Sequence, residues 1–477
     1  MAYRFFICAT CLIFVEKDKV TMLKSLFILL LCCFPVWLWA GDCYRFRVYL
    51  KDKGDDGYRV EEPEKFLSKE AIERRIKNNI AVTEDDFPIS RSYIGMLSEV
   101  GVTPVVQSKW FATVVVESPD SMIVEQLQQL PIVDSVKWVW KGILQIPAEK
   151  KEETHLVSED EPLPDEYGYA LEQTKMLNGI KLHEAGFRGE GMRVAVIDAG
   201  FMNVDRISAF DSLRLLGTHN VVFPGESVFV GDDHGTKVLS CLAADIPGVM
   251  VGTAPKASYL LLKSEDSDSE YPVEEDYWTA AVEYADSVGV DVNSSSLGYF
   301  AFDADELSYG LASLDGKTAM ISQAATWAAE KGILVFCSAG NEGNGDWKKI
   351  TFPADADKIF TVGAINESKK RSGFSSMGFT ADGRVKPDAV ALGTGSCVIG
   401  PEGNIRYVNG TSFSTPILAG MGVCLWQSLP WLNNKEVIRL LHRSSNRYKH
   451  PDIEFGYGIP DFYKAYKKER KHGLRAK

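Results

Sequence analysis

The sequence is poor in cysteine, in basic charge and in long apolar runs, and each shortage excludes something. Nine cysteines in 477 residues are too sparse for a disulfide scaffold, and no two C-x-x-C pairs stand at zinc-site spacing. Lys and Arg number 52 against 65 Asp and Glu, a formal net charge of -13. A general nucleic-acid binder needs a basic surface to displace counterions, so this balance argues against nucleic acid as a partner. The extended apolar run, Leu26 to Leu38, is thirteen residues, short of the roughly 20 that span a bilayer. No later stretch does better, so the mature chain is expected not to cross a membrane. What remains is an ordinary globular composition, 45% hydrophobic with 24 Phe, 18 Tyr and 10 Trp, which excludes disorder along the whole chain.

Lys24 before the apolar run and Trp39-Ala40-Gly41 after it give the layout of a secretory signal peptide, residues 1–40, with Met22 as an alternative start. A retained anchor is the other reading, and the shortness of the run argues against it. The expected location is therefore secreted, periplasmic or cell-envelope. Three sequons, at Asn293, Asn366 and Asn409, argue against a glycosylating route. Removal of the leader leaves Cys43, Cys241, Cys337, Cys397 and Cys424, an odd number. Cys241, Cys337 and Cys424 lie in apolar runs and read as core residues.

Residues 41–145 open with Tyr44 to Lys51, where large apolar residues alternate with cations at the strand period. Helices are expected at Ser68 to Asn78, Ser90 to Val100 and Ser121 to Leu130, with strands at Trp110 to Glu117 and Val133 to Trp140. Together they predict a small α+β domain. Residues 146–166 follow, and between Glu149 and Glu166 eight acidic residues stand against Lys150 and Lys151. This reads as an exposed linker, the kind of segment proteases cut. From Tyr167 the texture changes to short apolar runs: Arg193 to Asp198, Tyr259 to Lys263, Gly289 to Ser296, Ile333 to Ser338 and Ile359 to Val362. Such runs suit strands covered on both faces. The fold class expected for 167–468 is α/β, a doubly wound and mostly parallel sheet, with 469–477 as a basic solvated tail.

In that architecture, functional groups collect at the carboxyl ends of strands. One run ends in Asp198-Ala199-Gly200. Asp232-Asp233-His234-Gly235-Thr236 opens a helix. Another run leads into Ser338-Ala339-Gly340-Asn341, an amide able to face a developing oxyanion. Asn409-Gly410-Thr411-Ser412-Phe413-Ser414-Thr415-Pro416 precedes an apolar helix, Ile417 to Leu429, with Pro416 in its first turn. Each taken alone has a bland reading as a cap or turn residue.

Together, Asp198, His234, Asn341 and Ser412 resemble the subtilisin-like serine proteases, over about 300 residues from Tyr167 to Lys468. The resemblance implies Ser412 as nucleophile, His234 as general base and acid, Asp198 as the group that orients the imidazole, and Asn341 as oxyanion donor. It also implies that Ser296, Leu297 and Gly298 pair with an extended polypeptide substrate, while Ala339 and Gly340 line the specificity pocket. No redox or nucleotide cofactor and no assigned metal follow from it. Structural calcium, for which Asp303, Asp305, Glu306 and Glu265 to Glu270 are candidates, is not assignable to a complete ligand loop. The motif departs from the family in carrying Ala199 where Ser or Thr is usual. Residues 299–317 form a longer insertion that either shapes the cleft or is a surface loop.

The N-terminal domain resembles the inhibitor-type propeptides of secreted subtilases, which implies that the chain's own propeptide is an intramolecular inhibitor. It also implies self-cleavage within 141–167. The layout is similar to exported subtilases of Bacteroides-type bacteria, without the C-terminal sorting module some of them carry. The expectation is a secreted serine endopeptidase acting through an acyl-enzyme on Ser412, with an apparent pKa near 7 for His234. A catalytically silent peptide-binding module of the same fold is the alternative.

Overall fold

A computed structural model describes residues 42–143 and 154–473. The expected leader, residues 144–153 with the start of the acidic segment, and the end of the basic tail lie outside the described residues. Cys43–Lys477 forms one compact unit.

The first part is a four-stranded antiparallel sheet carrying helices. Its strands are β1 (Cys43–Leu50), β2 (Thr103–Ser108), β3 (Thr113–Ser118) and β4 (Val133–Gly142), in the order β2-β3-β1-β4. Helices α1 (Lys69–Lys77) and α2 (Arg91–Glu99) begin at Ser68 and Ser90, whose hydroxyls accept the N–H groups of Ala71 and Ser92. The third helix, α3 (Ile123–Gln128), is shorter than its apolar pattern suggested. Phe46, Val48, Leu97, Val114, Val116 and Leu127 make this part's own core. Strand β2 escaped the sequence reading because Pro104 and Gln107 dilute its pattern, and both are tolerated in the edge position it occupies.

The second part is a seven-stranded sheet. It is built from β5 (Arg193–Asp198), β6 (Arg214–Asn220), β7 (Ser258–Lys263), β8 (Val292–Ser295), β9 (Leu334–Ser338), β10 (Phe360–Ile365) and β11 (Ala389–Leu392). The order is β11-β10-β9-β8-β5-β7-β6, and every pairing is parallel. Strand β6 was missed for the same reason as β2: it is an edge strand, interrupted at Gly217 by a register shift. The chain places β7 on one side of β5 and β8 on the other. The winding thus reverses across β5, and a crevice opens at its carboxyl end, where Asp198 stands.

Helices α4 (His234–Ala243), α5 (Val273–Val288), α6 (Met320–Glu330) and α7 (Thr411–Ser428) cover this sheet. Nearly every residue of α7 is buried, which accounts for its apolar character all round. It begins six residues before the expected Ile417, so Pro416 lies inside the helix and not in its first turn. Cys43, Cys241, Cys337, Cys397 and Cys424 are all free and buried.

The two parts share a core. Cys43, Val115, Val139 and Trp140 from the outer face of the small sheet join Tyr277, Trp278 and Ala281 of α5 in one apolar cluster. The alternation in β1 therefore does not mark one buried and one wet face. Arg45 and Arg47 are 7% and 2% exposed, because their face is closed by α5. Arg47 grips Asp276 through Nε (2.7 Å) and Nη2 (2.5 Å), and Arg75 reaches Asp286 at 2.7 Å. Arg74 also pairs with Asp286. Glu283 accepts the N–H groups of Lys109 (2.9 Å) and Trp110 (3.1 Å) and the Ser108 hydroxyl.

The acidic segment is largely exposed where it is described. From Leu156 onward it is tied down: Leu156 N–H donates to Arg206 O (2.8 Å), Ser208 N–H to Leu156 O (2.9 Å) and Leu163 N–H to Gly248 O (2.8 Å). Among the described residues, no helix is long and apolar enough to cross a membrane.

Candidate active site

Asp198 ends β5 fully buried. Its Oδ1 accepts the His234 ring nitrogen Nδ1 at 2.6 Å and the Ala199 N–H at 2.9 Å. Oδ2 is buried with no partner among the described residues, and Ala199, the next residue, offers no hydroxyl. His234 opens α4, with its own N–H held by Asp232 Oδ1 at 2.7 Å. The helix start packs so closely on the strand end that a Cβ on Gly235 would lie 2.3 Å from Gly200 O. Only glycine permits that approach.

About a third of the His234 side chain is exposed, at 32%. Burial of the remainder disfavours the imidazolium. The Asp198 charge and hydrogen bond outweigh that penalty, helped by Glu265 and Asp232, and the pKa is pushed up to about 9. The physical reason is that a buried carboxylate and an acidic neighbourhood both favour the charged ring.

Ser412 stands in the first turn of α7, where the backbone N–H groups have no intrahelical acceptor. Its hydroxyl donates to Ser296 O at 3.3 Å and makes no hydrogen bond to His234, a difference from the expected file of three. The Phe413 ring, next in sequence, lies 5.8 Å from the imidazole. Pro416 explains the partner of the Ser412 carbonyl. A residue four positions on would normally donate its N–H there, and proline has none. The Ser296 hydroxyl fills that role at 2.8 Å, so Ser296 and Ser412 hold each other reciprocally.

Asn341 follows β9. Its Oδ1 accepts both the Thr411 N–H (2.9 Å) and the Thr411 hydroxyl (3.1 Å), which commits the amide oxygen and leaves Nδ2 for the cleft. Thr411 Oγ1 in turn accepts the Gly340 N–H at 3.2 Å. The residue before Ser412 thus sets the orientation of the amide.

These groups meet in one cleft of about 540 Å3, lined by His234, Ser296, Leu297, Gly298, Gly340, Asn341 and Ser412 among others. Asp198 lies behind His234. Ala339 does not line it: the residue is fully buried, with its carbonyl taken by the Thr351 N–H at 3.1 Å. Ser338 and Thr351 line the wall instead. A Cβ on Gly298 would lie 2.2 Å from Thr351 Oγ1. Gly298 is exposed, and its backbone makes no hydrogen bond to the described chain.

Sequence reasoning missed Thr351 because a lone threonine in a loop carries no pattern. It saw the carboxylates of 265–270 and Asp303 only as calcium candidates or solvated surface, yet Glu265, Glu270 and Asp303 line the same cleft. The 299–317 insertion shapes that wall through Asp303, whose Oδ2 accepts the Glu270 N–H at 3.0 Å. Among the described residues, no group of three or more His, Cys, Asp or Glu is arranged to hold a metal ion.

Comparison with known proteins agrees with this geometry. A family model described as the subtilase family matches residues 189–458. A second, the Peptidase S8 propeptide domain of Bacteroidota, matches 45–174. Subtilisin DY of Bacillus licheniformis is 28% identical over 265 residues, 55% of this chain and 86% of that protein. Subtilisin NAT of Bacillus subtilis subsp. natto is 30% identical over 319 residues, 65% of this chain and 75% of its own length. Subtilisin E of Bacillus subtilis (strain 168) gives the same figures.

Proposed function

Because the chain belongs to the subtilase family, as a serine endopeptidase made as a zymogen with its own propeptide domain, we propose that Ser412 is its nucleophile and that His234, Asp198 and Asn341 serve it. The observation that carries this assignment is the 2.6 Å bond from buried Asp198 to His234, at the mouth of the cleft that Ser412 and Asn341 share.

The chemistry follows from the atoms. Asp198 Oδ1 fixes the proton on Nδ1, so Nε2 of the neutral ring is the free base. Rotation about the Ser412 Cα–Cβ bond releases Oγ from Ser296 O and turns it toward His234. Nε2 takes the hydroxyl proton as Oγ attacks the scissile carbonyl carbon. Asn341 Nδ2 and the Ser412 N–H stabilise the oxyanion, each such donor contributing on the order of 3 kcal/mol. The imidazolium returns the proton to the leaving amine, the C–N bond breaks, and water repeats the sequence on the ester. Polypeptide substrate lies along Ser296, Leu297 and Gly298, where the open backbone of Gly298 suits strand addition. No cofactor enters any step.

The propeptide domain is the intramolecular partner, and the processing cut falls between Gly142, where β4 ends, and Leu156, because the chain is paired into the propeptide sheet up to Gly142 and hydrogen-bonded into the catalytic part from Leu156 onward. Export through the 1–40 leader to the envelope or exterior fits a chain made as a zymogen. Expression of Ser412→Ala tests the assignment: it should yield only the uncut chain. The same cut appearing in purified mutant would overturn self-processing.

A further inference from the structure

The cleft has one feature the hydrolytic machinery does not use. Beside His234 its wall is built from Asp232, Glu265, Asp266, Asp268, Glu270 and Asp303. Lys and Arg partners exist for buried carboxylates elsewhere, as in the pairs at Asp276 and Asp286. Glu265 and Glu270 have none among the described residues, and Glu265 Oε2 is buried without any hydrogen-bond partner. Burial and then the neighbouring carboxylates push Glu265 up to about 8, while burial and Asp303 push Glu270 up to about 7. Among the described residues neither Glu265 nor Glu270 therefore has a Lys or Arg partner, and the catalytic part's own cations that act nearby are the His234 ring on Glu265 and Lys263 on Asp266. The wall is also not arranged as a metal cage, since no group of ligands among the described residues converges on one point.

The propeptide shows which part of a substrate meets this wall. Trp140, near the end of β4, donates from Nε1 to Ser269 Oγ at 3.1 Å, and the Trp138 ring lies 6.1 Å from that of Tyr271. The chain on the N-terminal side of the processing segment thus reaches the cleft rim at Ser269 and Tyr271. It also brings cations to the rim. Arg45, stacked over Trp140 at 4.3 Å, acts on Asp266, and Lys141 acts on Tyr271. Those two cations belong to the propeptide and leave with it, and neither is paired with Glu265 or Glu270.

We infer that this endopeptidase selects peptides with Lys or Arg on the N-terminal side of the scissile bond, within about four residues of it at strand spacing, and that Glu265 and Glu270 hold the cation. The inference rests on the peptidase reading of the same cleft. A cation there relieves the repulsion within the wall and satisfies Glu265 Oε2, which a neutral side chain leaves buried and bare.

The test uses the full chain after its processing segment has been cut and the propeptide removed, with active sites counted by a fluorophosphonate. A peptide library varied over the four positions before the cut is compared with the same peptides carrying citrulline or norleucine in place of Arg or Lys. At one position at least, the cationic peptide should be cleaved with kcat/KM at least tenfold higher, and 0.5 M NaCl should reduce that ratio. Glu265→Gln combined with Glu270→Gln should bring the ratio to within threefold of unity. If the double variant does not fold, the salt dependence of the unaltered enzyme carries the test. Labelled enzyme that cleaves neutral and cationic peptides alike at every position overturns the inference and leaves the peptidase reading intact. Absence of both labelling and cleavage overturns the reading beneath it.

Discussion

Asp198 decides what His234 can do. Its buried carboxylate holds the imidazole in one tautomer and raises its pKa, so the ring becomes a free base only as pH rises through about 9. Activity needs the neutral ring, so kcat/KM should still be climbing between pH 7 and pH 9. Glu265 contributes to the elevation, and Glu265→Gln should move the profile toward lower pH. A rate that is flat from pH 5 to 9 would contradict both statements. Asn341 gives a sharper prediction. Asn341→Leu removes one oxyanion donor and should lower kcat by about 10²- to 10³-fold with little change in KM; a variant affected only in KM would place Asn341 in substrate binding instead. The residues of this machinery were legible in sequence because each sits in a motif at the end of an element, such as His234-Gly235-Thr236 or Gly410-Thr411-Ser412. The acidic wall was not legible as a wall. Glu265, Glu270 and Asp303 come from two separate loops, and nothing local in either tells a cleft carboxylate from a solvated one.

At the scale of elements, α7 and α5 do most of the positioning. The first turn of α7 presents Thr411 and Ser412, and Pro416 farther along the helix leaves the Ser412 carbonyl for Ser296, so Ser412 and the 296–298 segment are held together. A proline-helix boundary rule placed the start of α7 too late, because the freed carbonyl has a tertiary donor that the rule cannot see. Helix α5 carries Asp276, Glu283 and Asp286, all hydrogen-bonded to the propeptide domain. Removing one partner of such a buried pair leaves the other charge stranded, at a cost of about 3 to 5 kcal/mol. Asp286→Ala removes the anion that Arg74 and Arg75 share, leaving Arg75 with Asp86 and Arg74 with backbone carbonyls, and the isolated propeptide domain should inhibit that variant at least tenfold less tightly than the parent enzyme. Unchanged inhibition would show that the apolar contacts with Tyr277 and Trp278 suffice alone. The interior strands were legible as apolar runs. The edge strands β2 and β6 were not, since an exposed edge is under no demand for an apolar pattern.

At the scale of the whole molecule, the described chain from Cys43 is an enzyme packed against its own propeptide domain, with one apolar cluster running through both. That union was beyond sequence reading, because the alternation in β1 says only that two faces differ and not that both are covered. N-terminal sequencing of the processed form should place its first residue after Gly142, where β4 ends, and no later than Leu156. A start beyond Leu163 would mean that the hydrogen bonds to Arg206 and Gly248 do not hold the new terminus in place. The central claim remains the convergence of three distant segments on one reactive hydroxyl. Its most direct test is mass mapping of the propeptide-free enzyme after reaction with a fluorophosphonate. The account predicts a single adduct on Ser412, absent from Ser412→Ala and much slower to form in His234→Ala; an adduct on another residue, or none, would contradict it.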